Sequence, residues 1–167
     1  MKNKSRTVAF LGLCTALAMI LAYVEILIQP LFPSLPGIKM GLPNIVIVFL
    51  LYRRGPLYAA GVSLLRILLV SMLFGNVMAL LYSLAGGILS LLVMALLRRF
   101  RILSPVGVSV AGGVTHNIGQ ILTAMLLLET AELGYYLVVL TVTGTVAGIL
   151  VGLCGAVLIE KLPKKLF

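Results

Sequence analysis

Apolar residues run through this chain in six blocks, separated by short basic or Pro/Gly-rich joints: about Val8–Ile28, Leu42–Leu51, Pro56–Leu73, Val77–Leu97, Val106–Leu128 and Tyr135–Ile159. At 1.5 Å per helical residue, five of them are long enough for the roughly 30 Å of bilayer hydrocarbon. The second is short, which predicts a helix that is tilted, re-entrant or completed by the preceding loop. The pattern predicts an all-α integral membrane protein, a single bundle of about six transmembrane helices forming one domain over residues 1–167.

The fifth block is unlike the others. It reads as long and apolar enough to cross a bilayer, yet it holds the chain's one histidine and a cluster of amides. With about 100° between successive helical residues, Ser109, Gly113, His116, Asn117, Gln120 and Ala124 share a stripe. Val110, Val114, Ile118 and Leu122 lie opposite. Lipid offers no partner for hydrogen-bonding groups, so the polar stripe should face protein or a water-filled cavity.

Composition agrees with the pattern. Hydrophobic residues make up 62% of the 167 residues, charged residues 10%, and the mean hydropathy is +1.22, more apolar surface than a soluble domain of this size can hide. The net charge of +9 alone would suggest nucleic acid, but the bases sit in clusters between apolar blocks, which is a topology signal and gives no reason to expect a nucleic-acid partner. Lys2, Lys4 and Arg6 precede the first span, Arg53 and Arg54 separate the second and third, Arg98, Arg99 and Arg101 the fourth and fifth, and Lys161, Lys164 and Lys165 follow the sixth. Every second boundary is basic. With six spans these boundaries share one side, which places both termini in the cytoplasm. The basic start followed by an apolar run resembles a leader, but the run is too long for one and no small-residue cleavage site follows, so a retained first span is expected. Cys14 and Cys154 both lie inside apolar runs, so no disulfide is inferred.

The joint Gln29–Gly41 is rich in proline and glycine and should be irregular yet stiff. Such a loop either connects two helices or gates an outward pocket, with Pro36, Gly37, Lys39 and Gly41 as the gating residues. Small residues recur four apart: Gly144, Gly148 and Gly152 on the sixth span, Gly12 and Ala16, and Ala18 and Ala22, on the first. The glycine ridge is expected to pack internally. The first-span pairs offer a surface for a partner's helix.

Arg66 lies roughly 15 Å into the third span, where a charge is costly unless paired or wet. Glu25 is the acidic residue placed to pair with it. Either the two hold a pair of helices together, or Arg66 faces an outward pocket and binds an anionic or carbonyl group. His116, without a second His, Cys or nearby carboxylate, does not suggest a metal, and no cofactor is expected. With Asn117 and Gln120 it forms a hydrogen-bonding surface on which Asn44 and Asn76 could converge. The chain has no Gly-x-x-x-x-Gly-Lys-Ser/Thr and no aspartate, and its glutamates are not paired for acid–base work. An enzyme acting alone is not expected.

Several motifs together resemble a known family: Gly37-Ile38-Lys39-Met40-Gly41-Leu42-Pro43-Asn44, Arg66 in Leu-Leu-Arg-Ile-Leu-Leu, Phe74-Gly75-Asn76, Tyr82-Ser83-Leu84-Ala85-Gly86-Gly87, and Gly107-Val108-Ser109 running to His116-Asn117-Ile118-Gly119-Gln120. They resemble the Gx transporter family, also catalogued as heptaprenyl diphosphate synthase component I. That family looks like the S components of energy-coupling factor (ECF) transporters, six-helix proteins of the bacterial plasma membrane that capture a vitamin or related micronutrient from outside. The resemblance implies a substrate site at Asn44, Arg66, Asn76, His116, Asn117 and Gln120, docking of the first span through Gly12 and Ala16 or Ala18 and Ala22 on a T subunit, and toppling of the chain when cytoplasmic ATPase subunits act. The synthase name implies aspartate-rich metal sites that this chain lacks. Some relatives are associated with extracytosolic electron transfer involving flavins and quinones. That alternative makes the chain a membrane subunit of such a system, or a prenyl- or quinone-binding protein of isoprenoid metabolism, with His116, Asn117 and Gln120 around a ring.

Overall fold

The computed structural model describes residues 2–28 and 40–163, with side chains from Lys4 onward. Six α-helices follow in order: α1 (Lys2–Ile28), α2 (Asn44–Arg53), α3 (Pro56–Phe74), α4 (Val77–Phe100), α5 (Pro105–Leu128) and α6 (Tyr136–Lys161), with a single 3-10 turn at Ala131–Tyr135 before the last. Local chemistry sets most of the starts. Pro56 opens α3 after Gly55 and Pro105 opens α5, positions where a missing N–H costs nothing. Ser104 accepts a hydrogen bond from Gly107 N at 3.2 Å, and Asn76 accepts one from Ala79 N at 2.8 Å, so both are N-caps. α1 starts six residues before the expected Val8, because a helix tolerates Lys4, Ser5 and Arg6 where they remain exposed or half-exposed.

Four stretches are long and apolar enough to cross a membrane: Lys4–Ile28, Pro56–Phe74, Val77–Phe100 and Ala131–Lys161. The fifth helix, expected among them, has the length, but its histidine and amides dilute its hydropathy. It is packed between α4 and α6 instead of being given over to lipid. The second helix is also resolved. Its 10 residues span about 15 Å, and Val46, Ile47, Val48, Phe49, Leu50 and Leu51 are all buried. A helix that short and apolar on every side belongs in a core. It touches α1, α3 and α6, while α3 packs on α4, α4 on α5 and α5 on α6, so α2 itself closes a ring with α3 to α6, and α1 covers it from the side of α3.

Glycine lets the α4–α5–α6 side of the ring close tightly. A Cβ on Gly119 would stand 2.9 Å from Gly86 Cα, one on Gly113 2.6 Å from Gly144 O, and one on Gly148 2.6 Å from Val110 Cα. The ridge of Gly144, Gly148 and Gly152 therefore packs internally against α5, as expected.

Arginines fix one end of the bundle. Arg53 donates to the carbonyls of Ile159 and Leu162, which the end of α6 leaves without intrahelical partners. Arg54 donates to Thr7 Oγ1 at 3.1 Å and lies 5.9 Å from the Phe10 ring and 5.5 Å from the Tyr58 ring. Arg98 donates to Tyr52 O at 3.2 Å and stacks over the same tyrosine. The basic boundaries thus converge at one end, joining α1, α2, α4 and α6.

Candidate functional site

All six helices contribute to one cavity, a narrow space of about 60 Å³. Glu25 comes from α1, Asn44 and Val48 from α2, Arg66 from α3, Ser83, Ser90 and Met94 from α4, Ser109, His116 and Asn117 from α5, and Gly144, Gly148 and Val151 from α6; Met40, Gly41 and Pro43 border it where the chain enters α2. That much space holds a few waters.

Entry into α2 is fixed by hydrogen bonds. Gly41, at φ 69°, accepts at its carbonyl from Asn44 N at 2.8 Å, and its own N–H donates to Glu25 Oε1 at 2.7 Å. Left-handed backbone at that point suits glycine. The contact ties the segment bordering the cavity to α1.

The polar stripe of α5 does face protein. Asn117 Nδ2 donates to Leu140 O at 2.6 Å, binding α5 to α6, and the amide fits because Gly144 is bare: a Cβ there would stand 2.7 Å from Nδ2. His116 lines the cavity with its main chain against α4, where a Cβ on Gly86 would meet His116 O at 2.6 Å. Arg66 lines the same space, and its Nε is fully enclosed with no hydrogen-bond partner. Glu25 is the charged neighbour Arg66 senses. The pairing expectation and the pocket expectation for these two residues therefore meet in one place.

Of the six expected site residues, Asn44, Arg66, His116 and Asn117 come together around the cavity. Asn76 does not. It is exposed and engaged as the cap of α4. Gln120 shares the stripe by angle, but its side chain lies against α4, where a Cβ on Gly86 would meet its Cγ at 2.9 Å. It is not among the lining residues because the close approach of α4 fills that part of the stripe. Gly41 borders the cavity, while Pro36, Gly37 and Lys39 lie outside the described residues. On α1, Ala18 and Ala22 are buried in the bundle, which removes them as a docking surface; Gly12 and Ala16 lie on the exposed side. Sequence reasoning missed Ser83 and Ser90. Both are seven residues apart on one helical face and polar within an apolar run, the signal that could have found them.

A family model matches residues 14–158, from the first helix to near the end of the sixth, under the description heptaprenyl diphosphate synthase component I. The chain belongs to the heptaprenyl diphosphate synthase component I family. The match takes in every cavity residue named above. No curated protein and no solved structure matched the chain. Among the described residues, this component I chain has no group of three or more His, Cys, Asp or Glu placed to hold a metal ion.

Proposed function

We propose that the chain is the substrate-capturing membrane component of a transporter of the energy-coupling factor kind, holding a small micronutrient-like molecule within its helical bundle. The observation that carries this reading is Arg66, a guanidinium in the middle of a membrane helix, lining a cavity to which every helix contributes. A charge at that depth is costly, and an acid or carbonyl group of a ligand in the cavity would offset the cost. Asn44 and His116 add hydrogen-bonding groups around the same space. In this role the chain supplies specificity and no catalysis. The basic end faces the cytoplasm of a bacterial cell, the cavity opens toward the outside, and a T subunit with ATPase subunits supplies the energy.

Mass spectrometry of small molecules released from the detergent-purified protein tests the proposal, with Arg66→Gln as the control. A water-soluble acid or carbonyl compound present in the wild type and lost in the variant supports it. A quinone, flavin or prenyl lipid retained by both overturns it in favour of membrane electron transfer or isoprenoid metabolism.

A further inference from the structure

Hydroxyls inside membrane helices ordinarily donate back to a carbonyl one turn earlier, because lipid and apolar side chains offer no other acceptor. Six threonines here do so: Thr15 to Leu11 O, Thr115 to Ala111 O, Thr123 to Gly119 O, Thr141 to Leu137 O, Thr143 to Leu140 O and Thr145 to Thr141 O, at 2.7–3.2 Å. The cavity serines behave differently. Ser83, Ser90 and Ser109 all line the space, and among the described residues none has a hydrogen-bond partner. Ser90 is 4% exposed and Ser109 3%, so neither hydroxyl is bathed in bulk solvent.

Both buried serines line the cavity, and the Ser90 hydroxyl stands 3.2 Å from where a Cβ on Gly112 would be. A Cβ there would also stand 2.5 Å from Met94 Sδ, so the bare Gly112 makes room for the thioether beside the hydroxyl. Arg66 lies on α3, whereas Ser90 and Ser109 lie on α4 and α5. The lining thus offers a cation on one helix and, on two others, buried hydroxyls that can each donate and accept.

We propose that Ser90 and Ser109 form a neutral subsite for the polar end of a ligand whose acid group is held by Arg66. The ligand class is a slim acid with a hydroxyl, carbonyl or ring nitrogen at its far end. An isoprenoid tail does not fit this description, since it would bury both hydroxyls without partners. The inference rests on the cavity being the ligand site proposed above.

The test uses straight-chain carboxylates of increasing length as probes, each with and without a terminal hydroxyl: glycolate against acetate, then their longer homologues. Affinities are read from thermal melting of the detergent-solubilised protein over a concentration series. At the length that reaches from Arg66 to the serines, the hydroxy acid should bind on the order of fivefold tighter than the plain acid. Ser90→Ala with Ser109→Ala should erase that advantage and leave the plain acid's affinity unchanged. The single variants, each removing part of the advantage, serve if the double variant melts early. Ser63→Ala, which removes a buried hydroxyl away from the cavity, should change nothing. An absent advantage at every length, or one that survives both serine substitutions, overturns the subsite while the cavity stands as an acid site. Failure of every acid to bind removes the proposed function as well.

Discussion

The Asn117 amide ties α5 to α6. It donates to Leu140 O, an acceptor that Thr143 Oγ1 also uses at 3.2 Å, and it reaches that carbonyl over a glycine. Gly144→Ala should therefore displace the amide and loosen α5 from α6. A loss of about 1–3 kcal/mol is expected from overpacking, read as an earlier thermal transition. Gly12→Ala, with open space around its Cβ, is the matched change and should leave the transition in place. Much of this was legible residue by residue. Arg66, Asn44, His116 and Asn117 stand out in any apolar run because each is costly there, and they do meet. The serines did not stand out, since a serine that back-bonds to its own helix and one that faces a cavity look the same in a sequence. Gln120 and Asn76 show the opposite failure: angle and proximity along the chain say nothing of a neighbouring helix filling the space, or of a capping duty.

At the scale of elements, α2 is buried on all sides and α1 on one side alone. Leu50 and Val48 are fully buried, whereas Leu13 is 69% exposed. Leu50→Ala should cost roughly 2–5 kcal/mol and Leu13→Ala almost nothing in detergent, where micelle and side chain exchange freely. Equal losses from the two, measured by thermal unfolding, would contradict the burial of α2 in the core. The boundaries of α3 and α4 were readable to within a few residues, because Pro56 and Asn76 mark their starts. What α2 does was not readable. Its shortness was visible, but only the packing of α1, α3 and α6 around it tells a core helix from a tilted or re-entrant one.

Across the whole molecule, the exposed side of α1 remains apolar along its length, with Val8, Leu13, Leu17 and Ile20 flanking Gly12 and Ala16. Lipid can cover such a surface, and so can the helix of a transport partner in the proposed function. Widening the stripe with Gly12→Leu and Ala16→Leu should abolish co-purification with T and ATPase subunits while leaving the melting temperature unchanged. Retained association would move the docking surface elsewhere. Ala18→Leu acts on the buried face and should lower stability instead. The alternation of basic boundaries foreshadowed the gathering of Arg53, Arg54 and Arg98 at one end, since residues on one side of a membrane must end up together. It did not foreshadow how they are used. Their guanidinium groups reach carbonyls and ring faces within the bundle, contacts that need a long side chain as well as a charge. These arginines therefore serve at two moments in the life of the chain: as plain positive charge while the helices are being threaded, and as shaped donors once the helices have assembled. A glutamine at position 53 would give up the first office and keep part of the second, so that a chain built with it separates the charge needed for threading from the bonds that tie the end of the last helix.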